Sequence, residues 1–246
     1  MVARQLDEQM AGRFPVGQRL RVLDVGMGRG TQALRLARLG HQVTGVEQDT
    51  AMLTAAREAL AREPEGIRDR VRLVQSDGRD TGVHFLPGSF DVVLCHGVLM
   101  YVEEPDPLVA GLARMLAPGG LLSLLVRNGD ALAMRPGLSG DWAGALAALD
   151  TSACLPHART GPSGGTPVRV GPDVRADRLP ALAATLDGIA APLHAWYGVQ
   201  VFTDTAADDA AVPDDLETLL AAEERAGRTD PYRGVAALLH LCGVRG

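Results

Sequence analysis

The stretch Arg21-Val-Leu-Asp-Val-Gly-Met-Gly-Arg-Gly30 decides the fold of this chain. Apolar residues that favour β structure flank Asp24 and lead into glycines at positions 26, 28 and 30. A helical pattern follows, with Leu34, Ala37 and Leu39 on one face. A strand that ends in a glycine turn and opens a helix places backbone N–H groups beside a bound ligand. The stretch therefore predicts the first strand of a doubly wound α/β sheet.

Two acidic residues near this turn indicate what kind of ligand it holds. The glycine spacing departs from the G-x-G-x-x-G pattern that binds the pyrophosphate of a dinucleotide. Asp24, at the end of the strand, repels a pyrophosphate and suits a cationic amine. Glu47 follows the second predicted strand, residues 42–46, where an acid can bind both hydroxyls of a ribose. Together the two acids fit a nucleoside that carries an amino acid, not NAD.

The rest of the first half repeats the strand and helix alternation of a parallel sheet. Met52, on the next helix, is placed to cover one face of a base. Asp77, after the third strand, is placed to accept the exocyclic amine of adenine, and the fourth strand ends at His96. The fold prediction is a Rossmann-like, mostly parallel sheet. Its further elements are a helix over 48–62 and strands over 71–74, 90–95 and 121–126.

Three motifs in residues 20–127 resemble those of the class I S-adenosylmethionine-dependent methyltransferases. They are Val-Leu-Asp-x-Gly-x-Gly at 22–28, the acid after strand two, and Leu-x-Pro-Gly-Gly at 116–120, before strand five. The resemblance implies S-adenosylmethionine as the cofactor. The residues expected to bind it are Asp24, Gly26, Met27, Gly28, Glu47, Gln48, Met52, Asp77, Gly78, Arg79 and His96.

The chain length of 246 residues suits one large α/β domain. We expect a single domain over 1–246, with a core over about 20–127. A lid-like insertion over about 128–193 separates strands five and six, and C-terminal strands and a helix occupy 194–246. Within the insertion, the pattern predicts a helix over 139–150 with Trp142, Leu146 and Leu149 on one side. It also predicts a surface loop over 151–178, a helix over 179–189, a strand over 194–202 and a solvated acidic surface over 204–215.

The composition argues against several classes of protein. No apolar run reaches the roughly 18 residues of a membrane span, and the first residues form no secretory signal. The three cysteines are too few and too scattered for a disulfide framework or a zinc site, so we expect no metal and a cytoplasmic protein. All 24 basic residues are arginine. The formal net charge of −6 argues against general adhesion to nucleic acid but leaves room for a local basic surface.

Four segments carry a narrower resemblance. They are Phe-Asp-Val-Val-Leu-Cys-His-Gly-Val-Leu-Met-Tyr-Val at 90–102, Leu-Leu-Ser-Leu-Leu-Val-Arg-Asn at 121–128, Tyr-Gly-Val-Gln-Val-Phe-Thr-Asp at 197–204, and 220–232 with its Glu-x7-Pro-Tyr spacing. Their order and spacing resemble the tRNA 5-carboxymethoxyuridine methyltransferase family. Membership would imply tRNA as partner and the carboxylate of a modified wobble uridine as methyl acceptor. A small-molecule carboxylate, hydroxyl or amine is an alternative acceptor, and a non-catalytic cofactor-binding protein is a further alternative. The oligomeric state is left open.

The catalytic candidates follow strands four and five. His96 is predicted to contact the cofactor or to act as a base, with a structural histidine bonded to backbone as its alternative. Tyr101 is predicted to lie at the mouth of the site, with core packing as its alternative. Asn128, the one asparagine in the chain, is predicted to take a specific hydrogen-bonding role, with turn capping as its alternative. Arginines suit phosphate or carboxylate, so the substrate candidates are Arg127, Arg159 and Arg175.

Overall fold

The computed structural model describes residues 1–154, 175–206 and 213–246, and one seven-stranded sheet runs through them. The strand order across the sheet is β3-β2-β1-β4-β5-β7-β6. The strands are β1 (Arg21–Val25), β2 (Gln42–Glu47), β3 (Val71–Gln75), β4 (Phe90–His96), β5 (Leu116–Arg127), β6 (Leu193–Val199) and β7 (Leu238–Val244).

The first five strands pair in parallel, and β7 runs antiparallel between β5 and β6. The prediction of a Rossmann-like, mostly parallel sheet is confirmed. β1 has β2 on one side and β4 on the other, so the chain reverses its winding direction at this strand. Such a reversal opens a crevice at the carboxyl ends of the strands, and ligands of doubly wound sheets bind there.

Helices cover both faces of the sheet. They are α1 (Val2–Ala11), α2 (Thr31–Arg38), α3 (Thr50–Ala61), α4 (Glu65–Arg68), α5 (Thr81–His84), α6 (Pro105–Met115), α7 (Met134–Leu138), α8 (Trp142–Cys154), α9 (Leu179–Gly188) and α10 (Leu216–Ala226). In the described residues, no helix combines the length and the apolar character that crossing a bilayer requires.

The core has two layers because side chains alternate between the faces of each strand. Leu23 and Val25 of β1 belong to the layer that includes Leu112 of α6, whereas Val22 belongs to the layer that includes Leu6 of α1. Each fully buried leucine contributes about 1.5–3 kcal/mol through the surface it removes from water. Leu39, predicted on the apolar face of α2, is 58% exposed because the helix ends one residue earlier, so that prediction is wrong.

The insertion between β5 and β6 contains α7, α8 and α9. Trp142, Leu146 and Leu149 share one side of α8 as expected, and all three are exposed to more than half. The predicted bounds of this helix, 139–150, and of the surface loop, 151–178, need correction. Residues 151–154 continue α8, and residues 176–178 are buried, where a bridge pairs Asp177 with Asn128. Residues 155–174 lie outside the described part of the chain.

Helix α10 contains a buried structural carboxylate that the sequence analysis did not distinguish. Glu223 of α10 is 3% exposed. Its carboxylate accepts hydrogen bonds from the backbone N–H groups of Val201, Phe202 and Thr203, each at 2.9 Å, and from the Thr203 hydroxyl at 2.8 Å. Glu223 therefore fixes the chain that leaves the carboxyl end of β6.

Candidate active site

A cavity of about 510 Å³ opens where β1, β2, β3 and β4 end. Its volume is in the range of small-molecule pockets, and its position is the crevice expected for a doubly wound sheet. Side chains and backbone from four different strand ends meet there because parallel strands end on the same edge. The predicted site residues that line it are Gly26, Glu47, Gln48, Asp77, Gly78, Arg79 and Tyr101.

The glycine turn after β1 forms one wall of the cavity. Gly26, Gly28 and Gly30 have φ angles of +67°, +57° and +78°, a region in which glycine is favoured over other residues. A Cβ atom on Gly26 would lie 2.2 Å from Cγ2 of Val98, which also lines the cavity. A Cβ atom on Gly28 would meet no atom within 4 Å. At Gly26, both packing and the backbone conformation therefore disfavour a larger residue. At Gly28, only the backbone conformation does.

Glu47 connects this turn to the next strand. One carboxylate oxygen accepts the N–H of Gly28 at 2.8 Å, and the other accepts the N–H of Asp49 at 2.9 Å. Each carboxylate oxygen has a second lone pair, so these bonds leave acceptors for two hydroxyl groups. Glu47 is thus both a brace for the glycine turn and a suitable partner for a ribose diol.

Asp24 is a buried carboxyl with an unsatisfied oxygen. It is 3% exposed, and its Oδ2 has no hydrogen-bond partner among the described residues. Burial, assisted by the negative charge of Glu47, raises the pKa of Asp24 from 3.8 to about 7. A buried carboxylate of this kind needs a positive partner, and a cationic amine would supply one.

Asp77 and Arg79 face the cavity as an ion pair. The carboxylate of Asp77 accepts from Nη2 of Arg79 at 2.6 Å and from the Arg79 backbone N–H at 2.8 Å. The side-chain hydrogen bond to Arg79 holds the pKa of Asp77 below its usual value. Gly78 separates them, and a Cβ atom there would lie 2.6 Å from Cγ1 of Val25. Glycine at position 78 therefore lets residues 77–79 pack closely against Val25 of β1.

Five predicted cofactor residues do not line the cavity: Asp24, Met27, Gly28, Met52 and His96. Met27 is 8% exposed and packs with Leu53 and Ala56, since the missing side chain of Gly45 leaves room for its sulfur. Met52 is 40% exposed in the first turn of α3 and does not line the cavity. The Met27 side chain belongs to the core, so the predicted contact of Met27 with the cofactor is left to its backbone.

His96 ends β4 but does not line the cavity, although the next residues, Gly97 and Val98, do. Its Nε2 lies 2.8 Å from the hydroxyl oxygen of Ser123. Burial and, to a lesser extent, the charge of Arg35 lower the pKa of His96 to about 4. The imidazole is therefore neutral near pH 7 and a poor proton acceptor.

Tyr101 lies at the mouth of the cavity and is 66% exposed, which corrects the core-packing alternative. Its segment is anchored by Arg175, a predicted substrate residue. The Arg175 guanidinium donates to the carbonyl of Glu103 at 2.8 Å and to the carboxylate of Asp177 at 2.7 Å, and its backbone N–H donates to the carbonyl of Met100. Arg175 is therefore a structural anchor for the cavity wall, and its assignment to substrate needs correction.

The two residues after β5 have different surroundings. Asn128 is 2% exposed, and its amide donates to the carbonyls of Gly234 and Ala236 while accepting from the N–H of Asp130. These bonds occupy the side chain, so turn capping replaces the predicted catalytic role. Arg127 has no hydrogen bond or ion pair from its guanidinium to any described residue, and its Nε is buried. The third predicted substrate arginine, Arg159, lies outside the described residues.

Sequence reasoning missed a buried polar group beside His96. Ser123 and His240 are single polar residues inside the apolar strands β5 and β7, and both are fully buried. A lone polar residue in a buried strand was the available signal, since such groups require partners. No cluster of His, Cys, Asp or Glu able to hold a metal ion occurs in the part of the chain that the structure describes.

Comparison with known proteins gives matches of different extent. The family model described as "Methyltransferase domain" matches residues 23–124. The tRNA 5-carboxymethoxyuridine methyltransferase of Escherichia coli K12 is 30% identical over 239 residues, which are 97% of this chain and 84% of that protein. A ubiquinone biosynthesis O-methyltransferase of Xanthomonas euvesicatoria is 35% identical over 108 residues, which are 44% of this chain and 43% of that protein.

The solved structures extend the similarity of the fold. An S-adenosylmethionine-dependent methyltransferase from Mesorhizobium loti superposes with a TM-score of 0.58 over 97% of this chain and 96% of that chain, at 16% identity. At this identity the likeness concerns the fold alone. The E. coli protein matches nearly the whole chain, including residues beyond the span of the domain model, whereas the Xanthomonas protein matches less than half.

Proposed function

Because the chain belongs to the tRNA 5-carboxymethoxyuridine methyltransferase family of S-adenosylmethionine-dependent enzymes, we propose that it methylates the carboxylate of 5-carboxymethoxyuridine in tRNA. The observation that carries this proposal is the extent of the similarity. The alignment with the E. coli enzyme covers 97% of the chain, and therefore includes most of the residues after 124, outside the general methyltransferase domain.

The cavity fits the cofactor of this family. S-adenosylmethionine, when bound, supplies an electrophilic methyl group on a sulfonium. The unsatisfied carboxylate of Asp24 suits its ammonium group, and the free lone pairs of Glu47 suit its ribose hydroxyls. Asp77, Gly78 and Arg79 form the wall where the adenine would lie. The assignments of Asp24 and Glu47 use acceptors that the described residues leave unfilled, whereas Asp77 and Arg79 bind each other.

The acceptor chemistry agrees with the surroundings of His96. A carboxylate is already ionised near pH 7, so its methylation needs no general base. An amine or a phenol must lose a proton, and the lowered pKa of His96 makes it a weak base for that purpose. The protein's part in the reaction is then to align the acceptor oxygen with the methyl group and to exclude water.

Arg127 is the residue proposed to hold the acceptor carboxylate. It ends β5 on the same face as Ser123, because side chains two residues apart in a strand point the same way. Its guanidinium lacks a partner among the described residues, and guanidinium groups bind carboxylates through paired hydrogen bonds. Loss of such a charge-assisted bond costs about 1.5–3 kcal/mol, or roughly 10-fold to 100-fold in kcat/KM.

The test is transfer of labelled methyl from S-adenosylmethionine to tRNA that contains 5-carboxymethoxyuridine, followed by mass analysis of the nucleosides. We expect a methyl ester, which mild alkali hydrolyses with release of the label. tRNA that lacks the carboxymethoxy group is the matched control and is expected to stay unlabelled. Absence of label in both RNAs, with cofactor binding confirmed in the same preparation, would refute the proposed substrate.

A variant pair tests the role of Arg127 in the same assay. Arg127→Gln is expected to lower kcat/KM for tRNA by roughly 10-fold to 100-fold. Arg127→Lys, which keeps the charge, is expected to retain more activity than Arg127→Gln. The cofactor affinity of both variants should equal that of the parent protein. A glutamine variant with full activity would remove Arg127 from the acceptor site.

A further inference from the structure

A continuous chain of buried polar side chains runs across the sheet from α1 to the end of β4. The amide oxygen of Gln5 lies 2.8 Å from Nδ1 of His240, and Nε2 of His240 lies 2.8 Å from the hydroxyl oxygen of Ser123. The same hydroxyl lies 2.8 Å from Nε2 of His96. Gln5, Ser123 and His240 are 0% exposed. Three hydrogen bonds thus connect the first helix with the edge of the sheet that carries the cavity.

The orientation of the Gln5 amide sets the donors and acceptors of this chain. Its oxygen faces Nδ1 of His240, which then carries the proton, and its Nε2 is buried without a partner among the described residues. A neutral imidazole has one N–H, which makes Nε2 of His240 an acceptor for the Ser123 hydroxyl. The Ser123 oxygen then accepts a hydrogen bond, and Nε2 of His96 must donate it. The Nδ1 atom of His96 is left as a lone-pair acceptor.

We propose that Gln5, His240 and Ser123 are positioning residues that hold His96 in the Nε2-protonated tautomer, with Nδ1 as a hydrogen-bond acceptor at the carboxyl end of β4. Nδ1 of His96 has no hydrogen bond to any described residue, and the adjoining Gly97 lines the cavity. His96 itself does not line the cavity, and the proposal assigns this acceptor to an N–H or O–H donor of a molecule bound beside Gly97. Only the identity of that bound molecule rests on the proposed function.

Neutral imidazoles are required for this arrangement, and the burial of both rings favours them. Desolvation lowers the pKa of His240 to about 3 and that of His96 to about 4. Without a fixed end, such a chain can also take the reverse arrangement. Nε2 of His240 takes the Ser123 proton and Ser123 takes the Nε2 proton of His96, while Nδ1 of His240 releases a proton to solvent and Nδ1 of His96 takes one from solvent. Gln5 selects one of the two directions.

The direct test is the 15N NMR spectrum of histidine-labelled protein near pH 7, with His96 assigned by comparison with His96→Gln. We expect a protonated, pyrrole-type shift at Nε2 of His96 and an unprotonated, pyridine-type shift at Nδ1. His41 provides an internal reference, because its Nδ1 accepts the N–H of Leu20 at 3.2 Å. The opposite tautomer of His96, or protonation at both nitrogens, would overturn the proposal. This readout needs no variant and no methyl acceptor.

A pair of substitutions in α1 then tests whether Gln5 acts at a distance. Gln5→Leu removes the fixed end of the chain without touching His96, so the two 15N shifts of His96 should converge as the tautomers mix. Gln9→Leu is the matched control, because Gln9 bonds the Tyr197 hydroxyl at 2.6 Å and lies outside the chain. It should leave the His96 shifts unchanged. Equal effects of both substitutions, or none from Gln5→Leu, would contradict the positioning role.

Ser123 supplies a second test with a conservative rescue. Ser123→Ala breaks the chain next to His96 and should mix its tautomers, whereas Ser123→Thr keeps the hydroxyl and should restore the single tautomer. In the methyl-transfer assay, Ser123→Ala is expected to lose kcat/KM and Ser123→Thr to recover it. Mixed tautomers in both variants would refute a specific role of the hydroxyl. The tautomer result stands whichever RNA or metabolite proves to be the substrate.

Discussion

Replacing Asp24 by asparagine is expected to stabilise the cofactor-free protein at pH 8 while weakening its affinity for S-adenosylmethionine. The substitution keeps the size of the side chain and removes its charge. Asp24 is buried, and its Oδ2 has no partner among the described residues, so the ionised form is penalised in the folded chain. The same charge is the feature proposed to attract the ammonium group of the cofactor.

The magnitude follows from the pKa of Asp24, which burial raises from 3.8 to about 7. At a pH above both values, a difference of this size costs the folded state about 4 kcal/mol. Asparagine removes this cost but leaves a buried amide group without a partner, which costs about 1–3 kcal/mol. The net gain in the free energy of unfolding at pH 8 is therefore about 1–3 kcal/mol.

The sign of the pH dependence is fixed by the direction of the pKa change. Folded Asp24 binds its proton more tightly than unfolded Asp24, so its contribution to stability is lost as the pH rises from about 4 to about 7. The advantage of Asp24→Asn should accordingly shrink as the pH falls toward 4. Asp91 is the control, because its pKa is shifted in the opposite direction. Burial raises its pKa, but hydrogen bonds from Arg21 lower it by more, so Asp91→Asn should destabilise the protein at pH 8.

Urea unfolding at pH 4.5 and pH 8 measures both variants against the parent protein, and calorimetric titration measures cofactor affinity. If Asp24→Asn were less stable than the parent by the same amount at both pH values, the buried carboxylate would carry no penalty and the reasoning would fail. Unchanged cofactor affinity in this variant would remove Asp24 from the site.

Three further variants probe the scaffold of the site. Glu223→Gln should lower the free energy of unfolding in urea by about 2–3 kcal/mol, because buried N–H donors lose a charged acceptor. Its control is Glu224→Gln, which removes a partly exposed ion pair and should lower the same free energy by less than about 1 kcal/mol. Arg175→Lys should weaken cofactor binding in calorimetric titration, since an ammonium cannot span the same acceptors; unchanged affinity would contradict an anchoring role. Gly26→Ala should weaken cofactor binding more than Gly28→Ala, since both strain the backbone but only the former meets a neighbouring side chain; equal affinities would refute the packing argument.

The strands of the first half were predictable because their signals are local. The apolar run before Gly26 gave β1, and the alternation of strands and helices gave a parallel sheet. The acids at strand ends were predictable for the same reason. Parallel strands end on one edge of the sheet, so an acid after one strand comes close to the glycine turn after another. Glu47 and Gly28 meet in this way.

The residues that the sequence misassigned are those whose partners lie far along the chain. For Asn128 the alternative of turn capping holds, and the partners that decide it, Gly234 and Ala236, are more than 100 residues away. Arg175 looked like a substrate arginine because nothing in its own segment indicates the carbonyl of Glu103. Periodicity also predicts which residues share a helix face, but it does not predict whether another element covers that face. The exposed side of α8 is an example.

The position of β7 has a consequence for how the protein folds. This strand is the last of the seven in sequence, yet it lies inside the sheet, between β5 and β6. Until it forms, β5 exposes a long unpaired edge and β6 has no neighbour, although the other six strands precede it in the chain. Pairing across more than 100 residues is also slow, because a large loop must close first. We therefore expect the nascent protein to depend on protection of the β5 edge from other chains, and chaperone capture should decline once β7 is in place.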